Sequence, residues 1–167
     1  MSSHSKVGHA IYNLEAVHDC FSVPANKTLL EEPRAELTAM FTLKLLHEQG
    51  VLDRPHLDQS VAHFALDALR YFDKYDSEGL RPYCIFQCYA HKVYHKHGYL
   101  SVHAETGKLV LDPTKTLEVL DDFAGCFLEV LAAMDARDGK ALELILTETM
   151  APETEFVRAT LALVRSA

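Results

Sequence analysis

The sequence predicts a mainly α-helical protein that carries one small β-hairpin, and three observations indicate this fold. Apolar residues recur at helical spacing in several segments, as Leu37, Phe41 and Leu45 do. Strict alternation of apolar and polar residues occurs only around residues 99–111. Glycines such as Gly50 stand where periodic segments stop, which is typical of helix C-termini.

The helical segments follow one another with short breaks. The predicted helices cover residues 2–20, 28–49, 53–75, 80–97, 112–137, 140–150 and 152–165. Residues 22–27 contain Pro24, Ala25 and Asn26 and are predicted to form a turn. The core-facing residues predicted for the third and fifth of these helices are Val61, Phe64, Leu66, Leu69, Phe72, Leu117, Leu120, Phe123, Phe127, Val130 and Leu131.

Helix boundaries are marked by residues with known capping roles. Thr28 and Glu31 have the spacing of a capping box at a helix start. Asp53 can cap the next helix with its side chain. Pro55 is compatible with this start, because proline is tolerated in the first turn of a helix. Gly98 and Gly139 are predicted to end the two helices that precede them.

The hairpin is predicted from two short alternating runs. Residues 99–103 and 108–111 flank the segment Ala104-Glu105-Thr106-Gly107. Gly107 can supply the positive φ angle that a tight hairpin turn needs.

Size and charge limit the classes of function. The chain has 167 residues and a formal net charge of −8, so we expect one helical domain over residues 1–167. A negative surplus argues against binding to nucleic acid or to an anionic membrane. The sequence shows neither a membrane-spanning stretch nor a signal peptide, and its four cysteines do not form a disulfide pattern. These features predict a cytoplasmic protein.

The start of the second predicted helix concentrates charge. Glu32 and Glu36 are four residues apart and share a helix face, where like charges repel. Arg34, a metal ion or the positive end of the helix dipole could relieve that repulsion. A solvated, acid-rich first turn that includes Glu31 is the plain alternative.

Ten histidines justify a search for metal-ligand spacings. His4 and His9 are five residues apart, and a π-type bulge eased by Gly8 would bring them to one helix face. Two histidines from one helix with a carboxylate such as Glu32 from another form a known zinc arrangement. Judged by spacing alone, two ordinary surface histidines are the better interpretation.

A second histidine group and a cysteine pair lie on the helix predicted over residues 80–97. His91 and His95 are four residues apart, but lysines interleave them, so a solvated helix end is the preferred interpretation. Cys84 and Cys88 have the same spacing and are predicted to be small core residues, because no activating base accompanies them.

The acidic segment resembles a motif of a known family. The segment Glu31–Glu36 is similar to the second zinc motif of the dipeptidyl peptidase III family, Glu-Glu-x-Arg-Ala-Glu. The segment His4–His9 resembles the first motif of that family, His-Glu-x-x-Gly-His, and precedes the second in the same order. The later elements also follow the family's order. They are a helix ending at Gly98, a hairpin, a long helix opened by residues 111–115, and the loop 138–142.

The resemblance implies a zinc ion bound by His4, His9 and Glu32. Glu31 and Glu36 would then orient the imidazole ligands and raise their basicity. The resemblance also implies the fold of the helical lobe that carries the zinc site in this family.

This chain departs from the family pattern at catalytic positions. Ser5 replaces the glutamate that acts as general base, and a serine cannot do so near neutral pH. Tyr83 stands where the family has a histidine that stabilises the transition state, and Gln87 stands where it has an arginine. The chain is also long enough for only one of the family's two lobes, so a second copy, as in a homodimer, is expected to close the cleft.

Three functions remain open. The first is a metal-dependent, hydrolase-like enzyme that acts on a small molecule or peptide-like ligand, with Glu31 or Tyr83 handling protons. The second is a pseudo-enzyme that binds a partner without turnover. The third is a metal-free acid–base enzyme that uses Glu32, Glu36, Tyr83 and Arg34. Ordinary peptide hydrolysis ranks below all three because Ser5 removes the base.

Overall fold

The computed structural model describes residues 24–69, 71, 81–103, 105–106, 108–151 and 162. Several predicted features therefore lie outside this description: the helix over residues 2–20, the break at residues 76–79 and the turn residues Ala104 and Gly107. The helix predicted over residues 152–165 lies almost wholly outside it. The helices within it are α1 (Pro24–Glu48), α2 (Arg54–Ala68), α3 (Arg81–Lys96), α4 (Thr116–Asp135) and α5 (Gly139–Leu144). The strands are β1 (Leu100–Val102) and β2 (Leu109–Leu111). The mainly helical fold with one small hairpin agrees with the sequence prediction.

Helix α1 begins earlier than the sequence predicted. It starts at Pro24, so the turn predicted over residues 22–27 is wrong from Pro24 onward, and Thr28 lies inside the helix rather than at its cap. Proline is as compatible with the first turn of a helix as with a loop, because its missing N–H would have no partner there. The helix also continues through Pro33. Its end at Gly50 is as predicted, with φ of 70°.

Helix α2 starts as predicted and ends earlier. The Asp53 side chain accepts a hydrogen bond from the His56 N–H, with Pro55 in the first turn. The helix ends at Ala68 rather than near Tyr75. Its buried residues are Leu57, Val61, Ala65 and Ala68. Leu66 was predicted to face the core but is 49% exposed, because the next residue along a helix points about 100° away from Ala65.

Helix α3 leads directly into the hairpin. The Tyr99 N–H donates to the Tyr94 carbonyl and the Gly98 N–H to the His95 carbonyl, which is the Schellman pattern. Gly98 has φ of 68°, as expected of the residue that ends such a helix. The hairpin is antiparallel, and Ser101 lies opposite Val110.

The second half of the chain departs from the prediction at both ends of α5. A 3₁₀ turn over Pro113–Lys115 opens α4, which ends at Asp135 with Arg137 in the left-handed region. Gly139 does not end this helix; it begins α5, whose N-cap is Asp138. The Asp138 side chain accepts from the Ala141 N–H and thereby fixes the start of α5. A π-helical turn, Ile145–Thr149, follows α5 where an uninterrupted helix was predicted.

Buried side chains from all five helices, from β1 and from the π turn form one hydrophobic cluster. At its centre, the ring of Phe123 lies 5.8 Å from Phe86, 5.9 Å from Tyr89 and 5.7 Å from Tyr94. Most of the predicted α4 core residues are buried, but Leu117 is 36% exposed, because it lies beside the buried stripe of α4 and not on it. Within the described residues, no helix is both long and apolar enough to cross a membrane.

The left-handed residue after α3 gives a direct test of this geometry. We expect Gly98→Ala to lower the free energy of unfolding by about 1–2 kcal/mol, because a Cβ is disfavoured at positive φ. The added Cβ would meet no atom within 4 Å, so the loss reports the backbone conformation alone. Gly125→Ala, inside α4 and equally uncrowded, should instead stabilise by about 0.5–1 kcal/mol. Urea denaturation of both variants measures their free energies of unfolding. Equal changes in the two variants would contradict the left-handed conformation of Gly98.

Candidate functional site

The acidic segment of α1 faces the start of α3. Glu32 and Glu36 lie one turn apart on α1, and Tyr83 lies in the first turn of α3. Glu32, as a hydrogen-bond acceptor, and the negative charge of Glu36 both raise the pKa of the Tyr83 phenol, which places its hydroxyl next to the two carboxylates. The structure therefore brings together three of the residues that the sequence singled out, from two helices well separated along the chain.

Tyr83 is held as a protonated donor. Burial raises the pKa of its phenol, and the hydrogen bond to Glu32 and the negative charges of Glu32 and Glu36 raise it further. The ring also stacks on Tyr71, with ring centres 6.0 Å apart and planes at 17°. The Tyr71 carbonyl in turn accepts from the Cys84 thiol at 3.1 Å. These contacts fix the ring, so its O–H can be presented to a carboxylate.

The two carboxylates are partly withdrawn from water. Glu32 and Glu36 are half-buried, and the Oε2 atom of each is fully buried. Two carboxylates on one helix face repel each other in a partly buried place unless donors or a cation stabilise them. Tyr83 supplies one such donor. The pair therefore has the chemistry of a cation site or of an acid–base pair.

Arg34 lies on the same helix and is buried, with 3% of its surface exposed. Its Nη2 donates to Glu31 Oε1 at 3.0 Å, and its carbonyl accepts from the Thr38 hydroxyl at 2.8 Å. Glu31 is more exposed than Arg34 and forms the outer member of this ion pair. A buried guanidinium on α1 adds positive charge next to the acidic segment.

Two further polar residues of α3 share the helix face of Tyr83. Gln87, one turn after Tyr83, is buried. The Tyr94 hydroxyl, two turns further on, is fully buried and has no hydrogen-bond partner among the described residues. Burial, the neighbouring Tyr99 and the charge of Glu36 all raise the pKa of Tyr94. The sequence reasoning missed Tyr94, although its spacing from Tyr83 and Gln87 places all three on one side of α3.

The interpretation of His91 and His95 as a solvated helix end is wrong. His91 is fully buried, and its Nε2 donates to the Ala65 carbonyl of α2 at 3.2 Å. Burial lowers the pKa of His91 to about 3, and it also lowers the pKa of the half-buried His95. The helix-dipole argument failed because α3 packs against α2 on this side, and desolvation outweighs the dipole.

The cysteine prediction is confirmed for Cys84 and Cys88. Both are buried, and neither forms a disulfide. Burial raises the pKa of the Cys88 thiol to about 12, which makes it a poor nucleophile near neutral pH.

The predicted histidine ligands His4 and His9, together with Ser5, lie outside the described residues. Among the residues that the structure does describe, no three histidine, cysteine, aspartate or glutamate side chains form a group able to hold a metal ion. Of the predicted ligand set, only Glu32 can therefore be placed.

Comparison with protein-family models, with characterised proteins and with solved structures gives no significant match for this chain.

Proposed function

We propose that the protein is a divergent enzyme on a scaffold resembling dipeptidyl peptidase III, acting on a small polar substrate through Glu32, Glu36 and Tyr83. The observation that supports this proposal is the hydrogen bond between Tyr83 and Glu32, with Glu36 beside it. A phenol whose pKa is raised by burial and by two neighbouring carboxylates is typical of active sites, where perturbed pKa values concentrate.

In the metal-dependent form of the proposal, Glu32 would bind zinc together with His4 and His9. The ion would supply a Lewis acid to polarise the substrate. Tyr83 would orient the free oxygen of Glu32 by donating to it, and Glu31 and Glu36 would orient the imidazoles. Because its pKa is raised, Tyr83 stays protonated near neutral pH and can also donate to a developing oxyanion.

A second candidate is metal-free acid–base chemistry. The direct contact of Tyr83 with Glu32 favours it, because this donor and acceptor need no ion to be held together. Glu32 would take a proton from the substrate and Tyr83 would give one to it, which leaves Glu32 protonated and Tyr83 as a phenolate. Transfer of the proton from Glu32 to Tyr83 would then return the site to its starting state. Both candidates place the reacting atoms next to Glu32 and Tyr83, but Glu32 binds zinc in the first and accepts a proton in the second.

Zinc titration by isothermal calorimetry on the full chain separates the two candidates. In the metal-dependent form, we expect one equivalent of zinc to bind and Glu32→Gln to weaken binding by at least about tenfold. The control is Glu129→Gln, on the exposed side of α4, which should bind as the unchanged protein does. Absence of binding, or equal affinity in both variants, would overturn the zinc site.

Turnover of p-nitrophenyl acetate, with and without added zinc, is the second measurement. Zinc-dependent hydrolysis supports the first candidate. If the protein hydrolyses the ester without zinc, and the rate falls at least about a hundredfold in Tyr83→Phe, the metal-free candidate is supported. Phenylalanine keeps the ring of Tyr83 and removes only the O–H donor. A folded protein that hydrolyses neither this ester nor a panel of dipeptide anilides would overturn both and favour a pseudo-enzyme.

A further inference from the structure

The polar face of α3 continues inward from the candidate site. Tyr83, at its outer end, is half-buried, whereas Gln87 and Tyr94 are buried. Tyr94 lies three turns after Tyr83, which is about 16 Å along the helix axis. The face therefore begins where water reaches it and ends in the core of the protein.

Two phenol hydroxyl groups lie at the inner end of this face. Those of Tyr94 and of Tyr99, the residue directly before β1, are both fully buried. Neither has a hydrogen-bond partner among the residues that the structure describes. The two rings are neighbours, with centres 5.3 Å apart and planes tilted by 36°. Buried polar groups are nearly always hydrogen-bonded, because a lone one has lost its contacts with water and gained none. These two neighbouring hydroxyls therefore indicate that a further polar group belongs beside them.

Both inner phenols act as hydrogen-bond donors. Burial, the neighbouring Tyr99 and the charge of Glu36 raise the pKa of Tyr94. Burial also raises the pKa of Tyr99, to about 12. The two hydroxyl groups are therefore protonated near neutral pH, and each offers an O–H to an acceptor.

The acceptor that fits this place is an uncharged oxygen. An anion would have to leave water for a fully buried position, which is costly unless a cation pairs with it, and the charge that reaches the Tyr94 hydroxyl is the negative one of Glu36. An ammonium group has no lone pair with which to accept a hydrogen bond. A hydroxyl or an amide carbonyl oxygen accepts from a phenol without carrying a charge.

We propose that Tyr94 and Tyr99 form the inner end of the candidate site and bind an uncharged oxygen of the substrate, either a hydroxyl or an amide carbonyl. This assignment rests on the proposed function and gives it a substrate class, a neutral compound with oxygen acceptors. The reacting part of the substrate lies at Glu32 and Tyr83, and Tyr94 holds the part that does not react. Loss of the Tyr94 hydroxyl therefore changes binding first.

Four compounds of equal chain length and different charge test the proposal: erythritol, succinamide, succinate and putrescine. Each is titrated into the full chain at constant ionic strength. NMR of protein with isotope-labelled tyrosine follows the ring resonances of Tyr94, which are assigned by their loss in Tyr94→Phe. We expect saturable shifts with erythritol, with succinamide or with both, and none with the two charged compounds.

Each outcome of this titration has a defined meaning. Saturation by erythritol alone assigns a hydroxyl oxygen, saturation by succinamide alone assigns an amide carbonyl, and saturation by both supports the shared neutral acceptor. Saturation by neither of them, or equal affinity for succinate or putrescine, would overturn the proposal.

Tyr94→Phe and its control, Tyr89→Phe, make the test specific. Both remove a buried phenol hydroxyl and keep the ring, but burial and the Cys126 thiol, as a hydrogen-bond partner, raise the pKa of Tyr89, so its hydroxyl has a partner. We expect Tyr94→Phe to weaken binding of the neutral compound by about fivefold or more, because one hydrogen bond is lost. Tyr89→Phe should bind as the unchanged protein does, and equal affinities in the two variants would contradict the role of Tyr94.

Urea denaturation without ligand separates a binding role of Tyr94 from a structural one. Tyr94→Phe should leave the urea midpoint unchanged or raise it, because it removes a buried hydroxyl that has no partner in the described structure. Tyr89→Phe should lower the midpoint, because its hydrogen bond to Cys126 is lost. A lower midpoint for Tyr94→Phe with unchanged binding would make its hydroxyl structural and overturn the inference.

The same titration also distinguishes this inference from the proposed activity. Binding of a neutral compound that weakens in Tyr94→Phe supports the inner end of the site even if the protein turns over no ester or anilide, and then only the activity is contradicted. Hydrolysis that depends on Tyr83, with no binding effect of Tyr94→Phe, would overturn the inference alone.

Discussion

Replacing Phe123 with alanine is expected to lower the free energy of unfolding by about 3–5 kcal/mol, the largest loss that we predict for this protein. Phe123 is fully buried in α4, and its ring contacts three aromatic rings of α3. The substitution removes apolar surface from the core and leaves a cavity that these rings cannot close. It also loses the edge-to-face contacts with Tyr89 and Tyr94.

The matched control for Phe123 is Leu128→Ala in the same helix. Leu128 is 53% exposed, so its truncation should cost less than about 1 kcal/mol. Urea denaturation followed by circular dichroism compares the two. If Phe123→Ala is unfolded without denaturant, Phe123→Leu provides a milder variant, expected to cost about 1 kcal/mol. Equal losses for Phe123→Ala and Leu128→Ala would contradict the packing described for α3 and α4.

The second large expected effect is a loss of stability between pH 7 and pH 5 that depends on His91. Burial lowers the pKa of His91 from its ordinary value of 6.5 to about 3. The unfolded chain therefore binds a proton at this residue at a higher pH than the folded protein does. Stability is complete above pH 6.5 and falls as the pH is lowered towards 3, by about 2 kcal/mol at pH 5 from His91 alone.

The charged and titratable groups around His91 set the conditions of the measurement. His95, with its ring centre 6.4 Å away, also has a lowered pKa and adds a loss of the same sign. Tyr94, 5.6 Å away, stays protonated throughout this range because its pKa is raised. The lowered carboxylate pKa values of residues such as Asp122 affect stability only at lower pH, so the range from pH 5 to pH 7 isolates the histidines.

His91→Gln separates the contribution of His91 from that of the other histidines. Its unfolding free energy should fall by about 2 kcal/mol less between pH 7 and pH 5 than that of the unchanged protein. His103→Gln, at an exposed position beside the hairpin, should leave the pH dependence unaltered. A proton NMR titration of the unchanged protein gives an independent check, because His91 should not titrate above pH 5. The same pH dependence in His91→Gln as in the unchanged protein would contradict its buried, neutral state.

Much of the local structure could be predicted from the sequence. Asp53 caps α2, Gly98 ends α3, and the hairpin pairs the two alternating runs as expected. Each of these features depends on a few neighbouring residues, whose backbone preferences act over one turn. The errors at Pro24 and Gly139 are of the same kind, since each residue type is compatible with both an end and a start of a helix.

The candidate site could be predicted only in part. The shared face of Glu32 and Glu36 follows from helical spacing, and Tyr83 was chosen by its place in the resemblance. Their contact depends on how α1 packs against α3, which no local pattern encodes. The same limit explains why His91 was misjudged, because its burial is due to α2, which lies well before it in the chain.

The sequence by itself determined which segments are helical, the caps at Asp53 and Gly98, and the hairpin, because these arise from backbone conformation and from side chains a few residues apart. Only the tertiary structure decided which polar groups are desolvated and which of them meet. The contact of Tyr83 with Glu32 and the buried, neutral His91 both join segments distant along the chain. Desolvation and charge pairing depend on how the helices pack against one another, so they are determined only in the folded protein.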